Sequence, residues 1–191
     1  MAAPGLRFRS CLALVLAAVA GAALAGPPQV RIETSAGNIV VQLEPERAPL
    51  TVKNFLQYAG EGFYEGTIFH RVVTGFIIQG GGYQEDMTLK SPHPPVPNES
   101  GNGLSNHRGT IAMARGTEPH SGDAQFYINL ADNVTLDPKP TRWGYAVFGE
   151  VVEGMEVVDE IGHRAIAARK DQADVPVQPV VIRKVVLLAS P

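Results

Sequence analysis

The residues with the clearest chemical potential are a cation and an amide on the two strands of a predicted hairpin. If residues 74–76 form its loop, the register places Arg71 opposite Gln79. The same register places Val73 opposite Ile77, and the two-residue period of a strand puts all four side chains on one face. A guanidinium and an amide above an apolar surface can donate hydrogen bonds and stabilise charge. The spacing supports a solvated strand arginine equally well.

Two further segments supply apolar and amide side chains close to this hairpin. Residues 109–116 are typical of a strand that leads into a loop, and residues 125–129 are typical of another strand. Residues 92–108 contain four prolines and little periodicity, which indicates a long ordered surface loop. Such loops often border functional sites. We therefore expect these three segments to surround the hairpin.

Glycine and proline divide the chain into short elements, which favours a mainly β fold. Residues 30–34 and 39–43 predict an opening hairpin, because apolar and polar residues alternate before a glycine turn. Residues 49–60 and 155–161 have helical apolar spacing, and each segment is stopped by a glycine. Residues 180–188 are too apolar for an exposed edge strand. Together, the many short strands and two helices favour one domain built as a closed or nearly closed antiparallel barrel.

Composition excludes several classes of protein. The chain has 191 residues, of which 45% are hydrophobic and 18% charged, so it is not intrinsically disordered. Its net charge is −3 and it has no basic run, which argues against nucleic acid as a partner. The single cysteine, Cys11, excludes an internal disulfide and a cysteine-based zinc site. None of the five histidines has ligand spacing, so we expect no metal and no cofactor.

Residues 1–25 are typical of a secretory signal peptide. Two arginines precede an apolar run at residues 11–24, and small residues at positions 23 and 25 suit cleavage after Ala25. A membrane anchor is the alternative, but the run is shorter than the roughly 20 apolar residues that span a bilayer. We expect an exported domain over residues 26–191 with no membrane span after processing.

Five segments taken together closely resemble the cyclophilins, a family of peptidyl-prolyl cis-trans isomerases. These segments are residues 69–82, 109–115, 125–129, 136–137 and 147–149. The resemblance covers almost the whole predicted mature chain, and its signal peptide is most similar to the bacterial periplasmic branch. It implies a mainly β fold, a closed eight-stranded antiparallel barrel capped by two short α-helices, with a peptide groove on the outer face. It also implies a periplasmic location, with secretion as the alternative.

The resemblance assigns roles to particular residues. Arg71 matches the catalytic arginine of the family, and Gln79 matches a polar residue that orients that arginine or the substrate. Arg115 adds a positive side chain beside the peptide path, which would favour acidic residues near the proline. The residues implied to bind substrate are Phe76, Ile77, Ala114, Arg115, Gly116, Gln125, Tyr127, Leu136 and Tyr145.

The implied activity is rotation about X-Pro bonds in exported proteins, which assists their folding. A donor such as Arg71 would stabilise the twisted amide, and an apolar pocket would hold the proline ring. The expected partners are proline-containing peptides and unfolded exported proteins, and we expect a monomer. The alternative function is a chaperone module that binds proline peptides in the same groove without significant catalysis.

Overall fold

The computed structural model describes residue 1 and residues 26–189, so the predicted signal peptide lies outside the described residues except for Met1. No helix in these residues is long and apolar enough to cross a membrane. The helices are α1 (Pro49–Gly60) and α2 (Met155–Gly162), and a short 3₁₀ turn covers Val134–Leu136. The strands are β1 (Gln29–Thr34), β2 (Asn38–Leu43), β3 (Thr67–Val73), β4 (Ile77–Gln84), β5 (Thr110–Met113), β6 (Phe126–Asn129), β7 (Val147–Glu153), β8 (Ile166–Arg169), β9 (Gln172–Pro176) and β10 (Ile182–Leu187).

Eight of these strands form one antiparallel sheet that nearly closes into a barrel, in the order β10-β1-β2-β7-β5-β6-β4-β3. Its two end strands meet where the Phe69 N–H donates to the Val180 carbonyl at 3.0 Å. A second bond there joins the Gly66 N–H to the Ile182 carbonyl at 2.9 Å. The predicted eight-stranded barrel with two short helices is confirmed, although this seam is an isolated bridge and two bonds rather than a full ladder.

The barrel interior is filled by one hydrophobic core to which both helices contribute. Val52, Phe55 and Tyr58 of α1 and Val158 and Ile161 of α2 are buried in it. These residues recur at helical spacing, so one face of each helix packs against the sheet and the other faces solvent. Because side chains fill the interior, the groups available for chemistry lie on the outside of the sheet.

Both predicted hairpins form, and the second has the predicted register. In the first, β1 pairs with β2 and β10 pairs with the other side of β1, so the apolar final strand is covered. In the second, Arg71 pairs with Gln79 and Val73 with Ile77. Gly75 in the connecting loop has φ of +69°, the left-handed conformation that glycine adopts without steric cost.

A second, two-stranded sheet was not predicted. β8 and β9 form an antiparallel hairpin that lies against β3 outside the barrel. Val175 of β9 is 1% exposed and packs with Ile68 of β3 and with Met87. The sequence hides this hairpin because all four β8 residues are exposed and Lys170, not glycine or asparagine, has the positive φ in its turn.

Three successive glycines are typical of a strand end and turn, but Gly80, Gly81 and Gly82 lie within β4. A Cβ atom at Gly82 would lie 2.6 Å from Cγ of Gln125, closer than two carbon atoms can approach. Gly81 has φ of +86°, which an L side chain rarely adopts. These glycines therefore let the Gln125 side chain lie directly against the strand.

His70 is buried, but outside the barrel core. By strand alternation alone, His70 would pack on the face opposite Arg71. The pairing is irregular between Phe69 and Arg71, however, and alternation fails there. Its ring centroid lies 4.6 Å from that of Tyr83, which packs in the outer cluster beneath β9. Within the described residues, its Nδ1 has no hydrogen-bond partner. Burial lowers the pKa of His70 from its usual 6.5 to about 4.

This burial predicts a specific loss of stability in acid. The unfolded chain takes up the His70 proton near pH 6.5 and the folded chain only near pH 4, so stability falls as the pH decreases between these values. A shift of this size corresponds to about 3 kcal/mol at and below pH 4. We expect His70→Phe to remove the decrease in the free energy of unfolding between pH 6.5 and pH 4, as measured by urea unfolding at a series of pH values. Parallel curves for wild type and variant between pH 7 and pH 4 would contradict this role of His70.

Candidate active site

A chain of polar side chains crosses the outer face of the barrel over three segments. Nη1 of Arg71 on β3 donates to Oε1 of Gln79 on β4 at 3.5 Å. Nε2 of Gln79 donates to Oε1 of Gln125, just before β6, at 3.1 Å. Strand pairing places Arg71 beside Gln79, and Gln125 lies two positions before Tyr127, the partner of Gln79 on β6. The hydrogen bonds fix the orientation of the Gln79 amide. The polar residues that the sequence predicted are therefore in one place.

Arg71 has a second polar neighbour, which sequence reasoning missed. Its Nε lies 3.7 Å from Oδ2 of Asp174 on β9, and the two side chains are 38% and 36% exposed. Asp174 carried no signal in the sequence, because the hairpin that brings it to Arg71 was itself not predicted. The guanidinium is thus flanked by a carboxylate on one side and an amide on the other.

The predicted apolar residues form a cluster separate from the barrel core. Ile77, Ala114 and Tyr127 are buried in it, and Phe76, Leu136 and Tyr145 are partly buried around them. Tyr127 pairs with Gln79 across β4 and β6, so this cluster adjoins the polar chain. The members that sequence reasoning did not name as site residues are Val73, Leu104, Ala112 and Val147.

A polar recess of about 230 Å³ opens beside the same residues. Its wall includes Ser121 and Asp123, which sequence reasoning also missed because they lie in an irregular loop without periodicity. Ala114 belongs both to this wall and to the apolar cluster, so the recess adjoins the cluster. The predicted residues that line the recess are Gln79, Ala114, Arg115, Gly116 and Gln125.

Tyr127 is held from behind by a buried polar network. Its hydroxyl donates to Oδ1 of Asn106 at 2.7 Å, and Asn106 is fully buried. Nδ2 of Asn106 donates to Oδ1 of Asp137 at 2.8 Å, and the Ser105 hydroxyl donates to the same carboxylate. Burial raises the pKa of Tyr127, so its hydroxyl remains a donor. The hydroxyl therefore points into the protein and leaves the ring to face the cluster.

The same network fixes another wall of the cluster. Asp137 directly follows Leu136, so the carboxylate that binds Asn106 also holds the backbone next to Leu136. Burial alone would raise the pKa of Asp137, but the hydrogen bonds from Ser105 and Asn106 outweigh it and keep that pKa below its usual value. The carboxylate is therefore ionised at neutral pH and its bonds are charge-assisted.

Arg115 is held beside the groove by several neutral partners. Its guanidinium lies 4.6 Å from the centroid of the Tyr145 ring, within cation–π distance. It also donates to the carbonyls of Gly144, Gly116 and Trp143 at 2.9 to 3.1 Å. The preference for acidic residues near the proline stays a prediction, because the carbonyls hold the guanidinium in place without neutralising its charge. The arginine instead ties two loops together beside Tyr145.

The arrangement defines a class of protein: a filled β barrel that carries a hydrogen-bond donor and an apolar cluster on its outer face. The sequence profile described as "Cyclophilin type peptidyl-prolyl cis-trans isomerase/CLD" matches residues 29–187. This match includes the strands, both helices and every predicted site residue. The chain belongs to this cyclophilin family and is a peptidyl-prolyl cis-trans isomerase.

Individual relatives agree with this assignment. "Peptidyl-prolyl cis-trans isomerase A" of Dickeya dadantii is 52% identical over 154 residues, which is 81% of each chain. "Peptidyl-prolyl cis-trans isomerase B" of Escherichia coli is 50% identical over 159 residues, which is 82% of this chain and 97% of the relative. A crystal structure of a Cryptosporidium parvum cyclophilin-type isomerase, solved in the presence of the dipeptide Ala-Pro, has a TM-score of 0.73 at 28% identity. It covers 84% of this chain and 99% of its own.

The network behind Tyr127 predicts a measurable contribution to stability. Tyr127→Phe removes one buried hydrogen bond and should lower the free energy of unfolding by about 1 kcal/mol. Tyr83→Phe is the matched control, since the Tyr83 hydroxyl makes no hydrogen bond among the described residues. Urea unfolding of both variants measures the difference. Equal losses in the two variants would show that the Asn106 contact does not stabilise the fold.

Proposed function

We propose that this isomerase acts on X-Pro bonds of exported proteins, that Arg71 stabilises the twisted amide, and that the apolar cluster binds the proline ring. The observation that carries the proposal is the position of the guanidinium, which contacts Gln79 on the strand next to that cluster. No covalent step is involved. Folding of newly exported chains would be assisted because slow proline isomerisation delays it.

The chemistry follows from the resonance of the amide. Rotation about the C–N bond removes that resonance, and the barrier is about 18–20 kcal/mol. In the twisted amide the proline nitrogen regains a lone pair, which a planar amide does not offer. A donor directed at this nitrogen therefore stabilises the twisted state more than either planar isomer. Arg71 is suited to this role because Nη2 makes no hydrogen bond within the described residues.

The cluster of Ile77, Tyr127 and their neighbours would hold the proline ring while the preceding carbonyl rotates. Its rigid walls suit this, because a fixed ring restricts the motion to the bond that must turn. Displacing water from the amide also helps, since water stabilises the more polar planar form. The backbone N–H and carbonyl of Arg115 make no hydrogen bond in the described part of the chain, so they are open to an extended peptide.

The alternative is a module that binds proline peptides without catalysing their isomerisation. Such a module would need the apolar cluster and the open backbone but not a cation beside the slot. The guanidinium at this position, in contact with Gln79, favours catalysis over simple binding. The two functions differ in what the removal of Arg71 does, because a binding module would lose little.

We expect Arg71→Ala to lower kcat/KM for a short Ala-Pro peptide about 10²-fold, as for loss of one preorganised donor. Binding of the peptide, measured by NMR titration, should change less than threefold because the cluster remains. Arg31→Ala is the matched control: Arg31 is also a strand arginine paired with a carboxylate, and its side chain is 37% exposed. A folded Arg71→Ala protein with the parental rate would refute the role of Arg71.

The proposal places the enzyme outside the cytoplasm, in the periplasm or secreted, on the basis of residues 1–25. We expect the full chain, expressed in a Gram-negative host, to be cleaved after Ala25, and intact-mass measurement should find a product that begins at Gly26. Replacing Leu14 and Leu16 by arginine interrupts the apolar run and should leave the chain uncleaved. Wild-type protein of full length in the membrane fraction would instead support an anchor.

A further inference from the structure

We propose that Asp174 is a positioning residue that holds the Arg71 guanidinium in its productive orientation. The inference rests on the proposed role of Arg71. It goes further in assigning a function to the β8–β9 hairpin, which lies outside the barrel and contributes nothing to the barrel core. In this view the hairpin delivers a carboxylate to the active site.

The two contacts of the guanidinium are on different edges. Gln79 accepts from Nη1 at 3.5 Å, and Asp174 lies 3.7 Å from Nε. The contact with Gln79 is at the long limit of a hydrogen bond and cannot by itself fix a long, flexible side chain. Two contacts on separate edges of a planar group restrict its rotation, and they leave Nη2 for the substrate.

Asp174 is held in place by the residue that follows it. Val175 is 1% exposed and packs against Ile68, which lies on β3 three positions before Arg71. Ala167 of β8 pairs with Val175, so the hairpin ladder supports the backbone from the other side. Because β9 is anchored to the strand that carries Arg71, the distance between the carboxylate and the guanidinium depends on local packing and not on a distant loop.

The exposure of the pair determines what kind of effect to expect. Both side chains are more than one third exposed, and ion pairs of that kind contribute little to stability. A group that orients a donor, in contrast, affects the transition state, because small displacements of a donor are costly there. Loss of Asp174 should therefore lower kcat and leave thermal stability and substrate binding nearly unchanged.

The test compares Asp174→Ala, Asp174→Asn and a control, Asp171→Ala, in the full chain. Asp171 is an exposed carboxylate in the turn of the same hairpin, so it matches the change in charge without contacting Arg71. We expect both Asp174 variants to lower kcat about three- to tenfold, with KM and Tm close to wild type. NMR exchange spectroscopy on a saturating Ala-Pro peptide separates kcat from KM. An unchanged kcat in both variants would overturn the inference.

A double-mutant cycle shows whether Asp174 acts through Arg71. If it does, Asp174→Ala should have no further effect on the residual rate of Arg71→Ala. An equal fold-loss in both backgrounds would mean that Asp174 acts independently, and would overturn the inference. The outcomes also separate this inference from the proposed function: a slow Arg71→Ala enzyme beside a normal Asp174→Ala enzyme rejects only the positioning role. Arg71→Ala at the full rate rejects the role of Arg71 itself.

Discussion

The pairing register of β3 with β4 is the constraint on which the active site depends. It places Arg71 beside Gln79, and the next pairing, of β4 with β6, brings the amide to Gln125. Because side chains alternate along a strand, a slip by one residue would turn Arg71 away from the groove and expose Ile78 of the barrel core. The hydrophobic core and the glycine at position 75 therefore fix the site as firmly as they fix the fold.

The barrel and the site use different parts of the same strands. Inward side chains fill the core, and outward side chains of the same strands form the groove. The core therefore positions the active-site residues although none of them belongs to it. Two further structures outside the core position residues of the groove. The buried network of Tyr127, Asn106 and Asp137 holds its apolar walls, and β9 brings a carboxylate to its cation. The supporting residues Asn106, Asp137 and Asp174 come from chain segments that contribute no strand to the barrel.

Sequence patterns predicted the elements that have strong periodicity or a clear turn. Both helices, the opening hairpin and the covered final strand were of this kind, and so was the hairpin around Gly75. Patterns failed where local rules were broken. The irregular pairing next to Phe69 moved His70 out of the expected face, and the glycine triplet proved to be a strand that accommodates Gln125. The residues of the groove came from the family resemblance, since no period links segments so far apart in the chain.

The sequence by itself determined which side chains share a face within one hairpin, because strand geometry relates neighbours in the chain by a fixed period. It therefore placed Arg71 opposite Gln79. Only the tertiary structure decided that Asp174 reaches Arg71, that Asn106 holds Tyr127, and that the Arg115 guanidinium donates to backbone carbonyls. These contacts join irregular or exposed segments. Such segments have no hydrophobic periodicity, because their positions are set by packing against the barrel and not by a regular backbone geometry.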